Sequence, residues 1–232
     1  MRLTWYGHSA FRVEFGDTAL LIDPFLSDNP TWDGDWAGPS GGISHILLTH
    51  GHNDHFGDTL EIVKTTGAQV VGGFELCEWC AAQGAENVNP GGHGGTVDCG
   101  EFAVTFVNAL HSSSITTSTG TSYMGNPLGL IVTPKDDKVL YHMGDTGIFG
   151  DMALINELYA PRIGLVPVGD RFTMGAREAS LACKRFFQFD AIVPCHYGTF
   201  PQLDQTPDKF IAALGDLGGR VVVPERGIHV TL

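Results

Sequence analysis

Thr49-His50-Gly51-His52-Asn53-Asp54-His55 is the stretch on which the reading of this chain turns. Four of its residues (His50, His52, Asp54, His55) are of metal-ligand type, and they directly follow the apolar run Ile43-Ser44-His45-Ile46-Leu47-Leu48. A strand that ends by spilling four such side chains into a tight turn can hold two cations. Imidazole together with carboxylate suits zinc and also accepts manganese or iron. Packing three imidazoles and a carboxylate together without a cation would cost desolvation that no partner charge returns. An isolated His is more often a surface residue or a satisfied core one, and that plainer reading suits His45 and His229, both within apolar runs.

Further ligands are expected where other strands end on the same rim. His111 lies just past the apolar run Phe102–Val107 and opens the polar segment Ser112-Ser113-Ser114. Asp145 follows Val139-Leu140-Tyr141-His142-Met143-Gly144, and Gly144 lets the backbone turn sharply beside a ligand. His196 follows Ala191-Ile192-Val193-Pro194-Cys195 and precedes Tyr197-Gly198-Thr199. Any one of these is weak evidence, since an Asp after a Gly is commonly a turn residue. Their joint fall at three strand ends is what carries weight.

The remaining pattern alternates short strands with helices. Leu3–Tyr6, Ala10–Phe15 and Thr18–Ile22 read as an opening antiparallel set with Gly16-Asp17 as a hairpin turn. Apolar spacing predicts helices over 58–66, 74–83, 152–158, 176–187 and 209–214. Strands are expected over 69–71, 96–97, 102–107, 128–133, 138–142, 163–166, 191–193 and 221–223. The sum is an α/β (α+β mixed) protein with two mixed sheets covered by helices. No Pro/Ser-rich linker or charge block divides the 232 residues, so one domain spanning 1–232 is expected. Gly91-Gly92-His93-Gly94-Gly95 reads as a turn with His93 incidental to it. Ser112–Asn126 reads either as a loop lining the cleft or as a solvated one.

Composition excludes several classes. With 26 acids against 13 bases the net charge is −13, and no Lys or Arg run supplies the basic stripe of a nucleic-acid binder. A small-molecule substrate is expected, with self-association into a homo-oligomer compatible with everything above. No apolar run approaches the ~20 residues of a membrane helix, and the N-terminal residues lack a signal-peptide core. Five cysteines at irregular spacing do not read as a disulfide framework. Cys77 and Cys80 are expected to be buried or half-buried thiols, and the expected compartment is a reducing cytoplasm.

The His-x-His-x-Asp-His cluster, followed by single His, Asp and His positions, resembles the metallo-β-lactamase superfamily, and the match spans nearly the whole chain. Trp5-Tyr6-Gly7-His8-Ser9-Ala10-Phe11, Leu21-Ile22-Asp23-Pro24, Gly169-Asp170-Arg171-Phe172-Thr173-Met174-Gly175 and Pro194-Cys195-His196-Tyr197-Gly198-Thr199-Phe200-Pro201 are similar to the UPF0173 metal-dependent hydrolases. That group is related to the L-ascorbate-6-phosphate lactonase-like branch. The resemblance implies an αββα sandwich with metals at the sheet edges. It also implies that His50, His52 and His111 hold a first metal, Asp54, His55 and His196 a second, and that Asp145 bridges them. Asp23 would orient the cluster from behind, as metal-bound imidazoles require. His8 and Thr173 would reach the cleft, His8 with no defined role and not as a ligand.

Two divalent ions so held, zinc first and manganese or iron as substitutes, would bring the pKa of bound water from near 16 toward ~7. The expected enzyme is therefore a binuclear metal-dependent hydrolase in which a metal-bridged hydroxide attacks a small, anionic ester or lactone. Asp54 and Asp145 are its expected catalytic carboxylates, with Asp54 able to move a proton. Phosphodiester hydrolysis and a non-catalytic metal-binding role stand as alternatives. Dioxygen-reducing di-iron members carry Glu where this chain has His52, which disfavours redox chemistry. The commonest β-lactamases lack the bridging Asp and are secreted, which disfavours antibiotic hydrolysis.

Overall fold

A computed structural model describes residues 1–232. The chain opens with antiparallel β1 (Arg2–Trp5), β2 (Phe11–Phe15) and β3 (Thr18–Ile22), and Phe15 pairs with Thr18 across the Gly16-Asp17 turn. There follow β4 (His45–Leu47), the one-turn helix α1 (Asn53–Phe56), α2 (Thr59–Thr66), β5 (Gln69–Gly73), α3 (Phe74–Ala82) and β6 (Val88–Gly91). The middle of the chain is all β: β7 (Thr96–Asp98), β8 (Phe102–Asn108), β9 (Ser114–Thr117), β10 (Gly120–Tyr123), β11 (Leu128–Pro134) and β12 (Leu140–His142). Helices and strands then alternate through α4 (Met152–Tyr159), β13 (Ile163–Pro167), α5 (Ala176–Phe186), β14 (Ala191–Cys195) and α6 (Asp208–Leu214). A 3₁₀ turn over Gly215–Arg220 leads to β15 (His229–Thr231).

Two mixed sheets result. The first has the order β15-β1-β2-β3-β4-β5-β6, antiparallel as far as β3 and parallel beyond it. The second has the order β14-β13-β12-β11-β8-β7, parallel from β14 to β12 and antiparallel beyond. Strand side chains alternate between faces, and that alternation sorts the core. Leu20 and Ile22 of β3, Leu47 of β4 and Val71 of β5 join Val104, Phe106, Leu130, Val132 and Leu140 in the larger cluster. Their neighbours Ala19, Leu21, Ile46 and Val70 face the other way, onto Ile62 and Val63 of α2 and Leu76, Cys77 and Cys80 of α3. On the far side, Met152 and Ile155 of α4 with Ala179, Ala182 and Cys183 of α5 cover the second sheet. The layers are α, β, β, α, the expected sandwich.

Four local features differ from the sequence expectation. Asp54 and His55 lie in a helical turn, because the His52 carbonyl accepts from the amides of both His55 and Phe56 at 2.9 and 2.8 Å. β6 is an edge strand that tolerates Pro90, which lacks a ladder donor. Segment 112–126 is a hairpin rather than a loop, β9 pairing with β10 from Ser114↔Tyr123 to Thr117↔Gly120. Val221 forms only a single bridge to Ile192, and the closing strand is β15 on β1.

Candidate metal centre

Each site residue hangs from the end of a strand, and the two sheets contribute comparable shares. From the first sheet, His8 follows β1, Asp23 follows β3 and His50 to His55 follow β4. From the second, His111 follows β8, Asp145 follows β12 and His196 follows β14. The ligand atoms form two groups within 4.8 Å, His50 with His52 and His111, and Asp54 with His55, His196 and also His8. In the first, His52 Nδ1 lies 3.0 Å from His50 Nε2 and 3.3 Å from His111 Nε2. Asp145 stands between the groups, one oxygen 3.5 Å from His111 Nε2 and 2.9 Å from His196 Nε2, the other 3.2 Å from His55 Nε2. All seven residues expected as ligands converge.

Asp23 governs the arrangement from behind. Its carboxylate accepts from the Thr49 amide at 2.9 Å, the Thr49 hydroxyl at 2.6 Å and His55 Nδ1 at 2.7 Å. Because the hydroxyl proton points at Asp23, His50 Nδ1 must donate to Thr49 Oγ1, 3.0 Å away. Both imidazoles are thereby fixed with the proton on Nδ1 and a bare Nε2 aimed inward, which is what a metal ligand needs. Asp23, His50 and His55 also cluster closely enough to suggest a third ion, but these hydrogen bonds occupy the facing atoms.

The inward atoms fit cations. His55 Nε2 and Asp145 Oδ1 are buried with no hydrogen-bond partner although they face one another. Two acceptors so placed repel unless a proton or a metal lies between them. Burial would keep His55 neutral, yet the Asp145 and Asp23 carboxylates outweigh it and raise its pKa well above the usual imidazole value. Burial, aided by a charged His55, holds His50 well below that value. Burial works against ionising Asp145, but His196 and His55 keep it well below the usual carboxylate range. Without metal, a proton on His55 stands where a cation would serve.

His8 is fully buried, and its ring stands within the cluster beside Asp54, His55 and His196. Its Nε2 donates to Asp54 Oδ2 at 3.1 Å, since a carboxylate can only accept, and its Nδ1 takes the Thr199 hydroxyl at 3.0 Å. Burial, then the neighbouring His196, brings its pKa down to about 4, so the ring is neutral. Thr173 is half-buried in the turn before α5, with its hydroxyl spent on the Met174 carbonyl at 3.4 Å rather than on the cluster. Thr146, beside Asp145, was not anticipated: its hydroxyl accepts from the Leu110 amide and its carbonyl from the Met174 amide, both at 2.9 Å, tying three site loops together. Asn53 likewise pins the β9–β10 hairpin to the cluster by two hydrogen bonds with the Thr116 backbone, at 3.0 and 3.1 Å.

Backbone strain concentrates here. His8, Asp23 and His196 have φ of 51°, 45° and 57°, left-handed values that cost L-residues about 1–2 kcal/mol each. Gly144, at φ 64°, makes the sharp turn expected before Asp145. At Gly169 a Cβ would fall on the His196 carbonyl, so only glycine admits that approach.

Two cavities adjoin the cluster. One of about 420 Å³ opens at Asp54, whose side chain is 32% exposed, and is lined by Phe25, Asp28, Asn53, Phe56 and Phe200. The other, of about 800 Å³, opens at His111 and is lined by His93, Asn108, Asn126 and Asp151. His93 is therefore not incidental to its turn; its Nε2 donates to the Pro127 carbonyl at 3.1 Å on the cavity wall.

Comparison with known proteins gives a consistent picture. A family model described as "Beta-lactamase superfamily domain" matches residues 2–196. A "UPF0173 metal-dependent hydrolase" of a Chelativorans species (strain BNC1) is 59% identical over 234 aligned residues, covering 100% of both chains. A solved metallo hydrolase from the hyperthermophilic archaeon Ignicoccus hospitalis is 33% identical, with a TM-score of 0.87 and coverage of 99% of this chain and 97% of that one. An isothiocyanate hydrolase from Delia radicum gut bacteria has a TM-score of 0.76 at 18% identity, covering 100% and 99%, a likeness of fold alone.

Proposed function

The chain belongs to the UPF0173 metal-dependent hydrolases of the beta-lactamase superfamily, and from that premise we propose that it is a binuclear enzyme hydrolysing a small ester or lactone. The observation that carries the proposal is the pair of inward-facing ligand groups with Asp145 between them. In this reading His50, His52 and His111 hold one divalent cation, Asp54, His55 and His196 the other, and Asp145 both. Zinc suits this donor set first, manganese or iron second. Bound there, such cations supply Lewis acidity and acidify water toward neutral pH.

The chain's own groups do the rest. Asp23 and Thr49 keep His50 and His55 in the tautomers that present Nε2. His8 donates to one oxygen of the partly exposed Asp54 and so keeps that carboxyl ionised and oriented, with its other oxygen left to serve as a ligand. An anionic group on the substrate, expected from the sequence, has only the cations to attract it. No helix is long and apolar enough to cross a membrane. Five unpaired thiols, four of them buried, support a reducing cytoplasm as the compartment.

The test is metal analysis of the purified chain, followed by assay on lactones, esters and phosphodiesters with His50→Ala alongside. The expected result is about two metal equivalents per wild-type chain, hydrolysis of the lactones or esters, and loss of activity in the variant. Full activity after complete removal of metal overturns the mechanism, and a preference for phosphodiesters overturns the substrate class.

A further inference from the structure

The two cavities beside the cluster differ in chemistry, and neither lining contains a Lys or an Arg. The one at Asp54 is walled by three aromatic rings, each set close in sequence to a site residue: Phe25 after Asp23, Phe56 after His55 and Phe200 after His196. Phe25 and Phe56 are buried and Phe200 is half-buried. Phe25 and Phe200 stand 6.4 Å apart between ring centroids, and both pack edge-on against the His8 ring, at 5.9 and 5.5 Å. The ring that steadies Asp54 therefore also steadies the wall of this cavity. The cavity at His111 offers amides and an imidazole instead, from Asn108, Asn126 and His93. Carboxylates stand in both linings, Asp28 in the first and Asp151 in the second.

We propose that the aromatic cavity receives an uncharged alkyl or aryl tail of the substrate, while the polar cavity takes its hydrogen-bonding part. Resting on the hydrolytic reading above, this narrows the substrate to a neutral ester or lactone with an apolar substituent. Size, continuity with Asp54 and charge all support that occupant. About 420 Å³ lies within the range of small-molecule pockets. The rings share one lining with Asp54, so a substituent beside a bond cleaved at the cluster would lie against them. An anionic tail would meet Asp28 with no counter-charge in the lining.

The experiment uses the full-length, zinc-loaded chain and two series. One is a set of γ-lactones with lengthening alkyl tails, together with a carboxylate-tailed lactone of matched length. The other is the straight-chain hydroxamates from butano- to octanohydroxamate, which are titrated calorimetrically and need no hydrolysis to report. In wild type both kcat/KM and hydroxamate affinity should rise about fourfold per methylene, and the carboxylate-tailed lactone should be at least about tenfold poorer than its neutral match. Phe200→Ala should flatten both slopes and Phe200→Leu should restore most of them; Phe200 is half-buried, so the fold does not depend on it as on Phe25. Flat slopes in wild type, unchanged slopes in Phe200→Ala, or preference for the anionic tail each overturn the proposal. Graded hydroxamate binding without hydrolysis of any lactone or ester would sink the reaction while leaving the cavity's role standing.

Discussion

Asp23→Asn isolates the hydrogen-bond logic behind the ligands. Asn preserves the side-chain shape and is among the residues that best tolerate the left-handed backbone found there, φ 45°. The change is thus confined to polarity. The remaining oxygen still accepts from the Thr49 amide, but an NH2 now faces the Thr49 hydroxyl and His55 Nδ1, where a carboxylate oxygen accepted at 2.6 and 2.7 Å. His55 must then carry its proton on Nε2. The Thr49 hydroxyl must reverse, which drives the His50 proton to Nε2 as well. Two inward lone pairs are lost at once. Loss of a partner of this kind costs 10- to 100-fold in metal affinity, about 1.4–2.7 kcal/mol. The metal-free protein loses in addition about 1.5–3 kcal/mol, the worth of a hydrogen bond to a charged group. Zinc competition against a chromophoric chelator reads the first quantity and urea unfolding of the chelator-treated protein the second. A variant that loses stability yet binds zinc within about threefold of wild type would refute the tautomer argument.

Three further outcomes are expected. Stripping metal that had been present free at about a hundredfold over Kd should remove about 2.7 kcal/mol per site, about 5.4 kcal/mol for the two, and lower Tm by about 10–20 °C in calorimetry; an unchanged Tm would show that the cluster does not hold metal. Burial pushes Cys77, Cys80 and Cys183 up to about 12 and Cys99 to about 11, while the ordinary thiol value is 9.0. The folded state thus keeps protons the unfolded state releases, so stability is intact below about pH 8.5 and falls as pH climbs from about 9 toward 12, by about 1.4 kcal/mol at pH 10 for each of Cys77, Cys80 and Cys183, with buried Cys195 acting in the same direction; urea titrations across that range check it, and a flat profile contradicts it. Asn53→Ala removes both hydrogen bonds to Thr116, so limited proteolysis should cut within residues 116–122 faster than in wild type while global stability shifts by less than about 1 kcal/mol; an unaltered cleavage pattern counts against the anchor.

What was legible in the sequence was whatever local order and burial control together. His50, His52, Asp54 and His55 are neighbours along the chain, and His111, Asp145 and His196 each follow an apolar run that reads as a strand. The buried strands were visible for the same reason. β9 and β10 were not: Ser, Thr and Gly give them no apolar alternation, and what holds them is pairing to each other and to Asn53. The place of His8 beside the cleft was legible but its role was not, because its partner Asp54 lies 46 positions away and its orientation depends on a left-handed turn. The aromatic cavity is drawn from residues 25, 56 and 200, which only the closed sandwich brings together.

The division of ligands between the sheets bears on how the molecule is made. Half a chain emerging from a ribosome carries His50, His52, Asp54 and His55, but none of the partners that come after β8, β12 and β14. A growing polypeptide can at most hold an ion loosely, and tight uptake must wait until the second sheet docks on the first. Capture of a cation during refolding therefore clocks that docking step, and stopped-flow zinc uptake should lag behind the recovery of secondary structure.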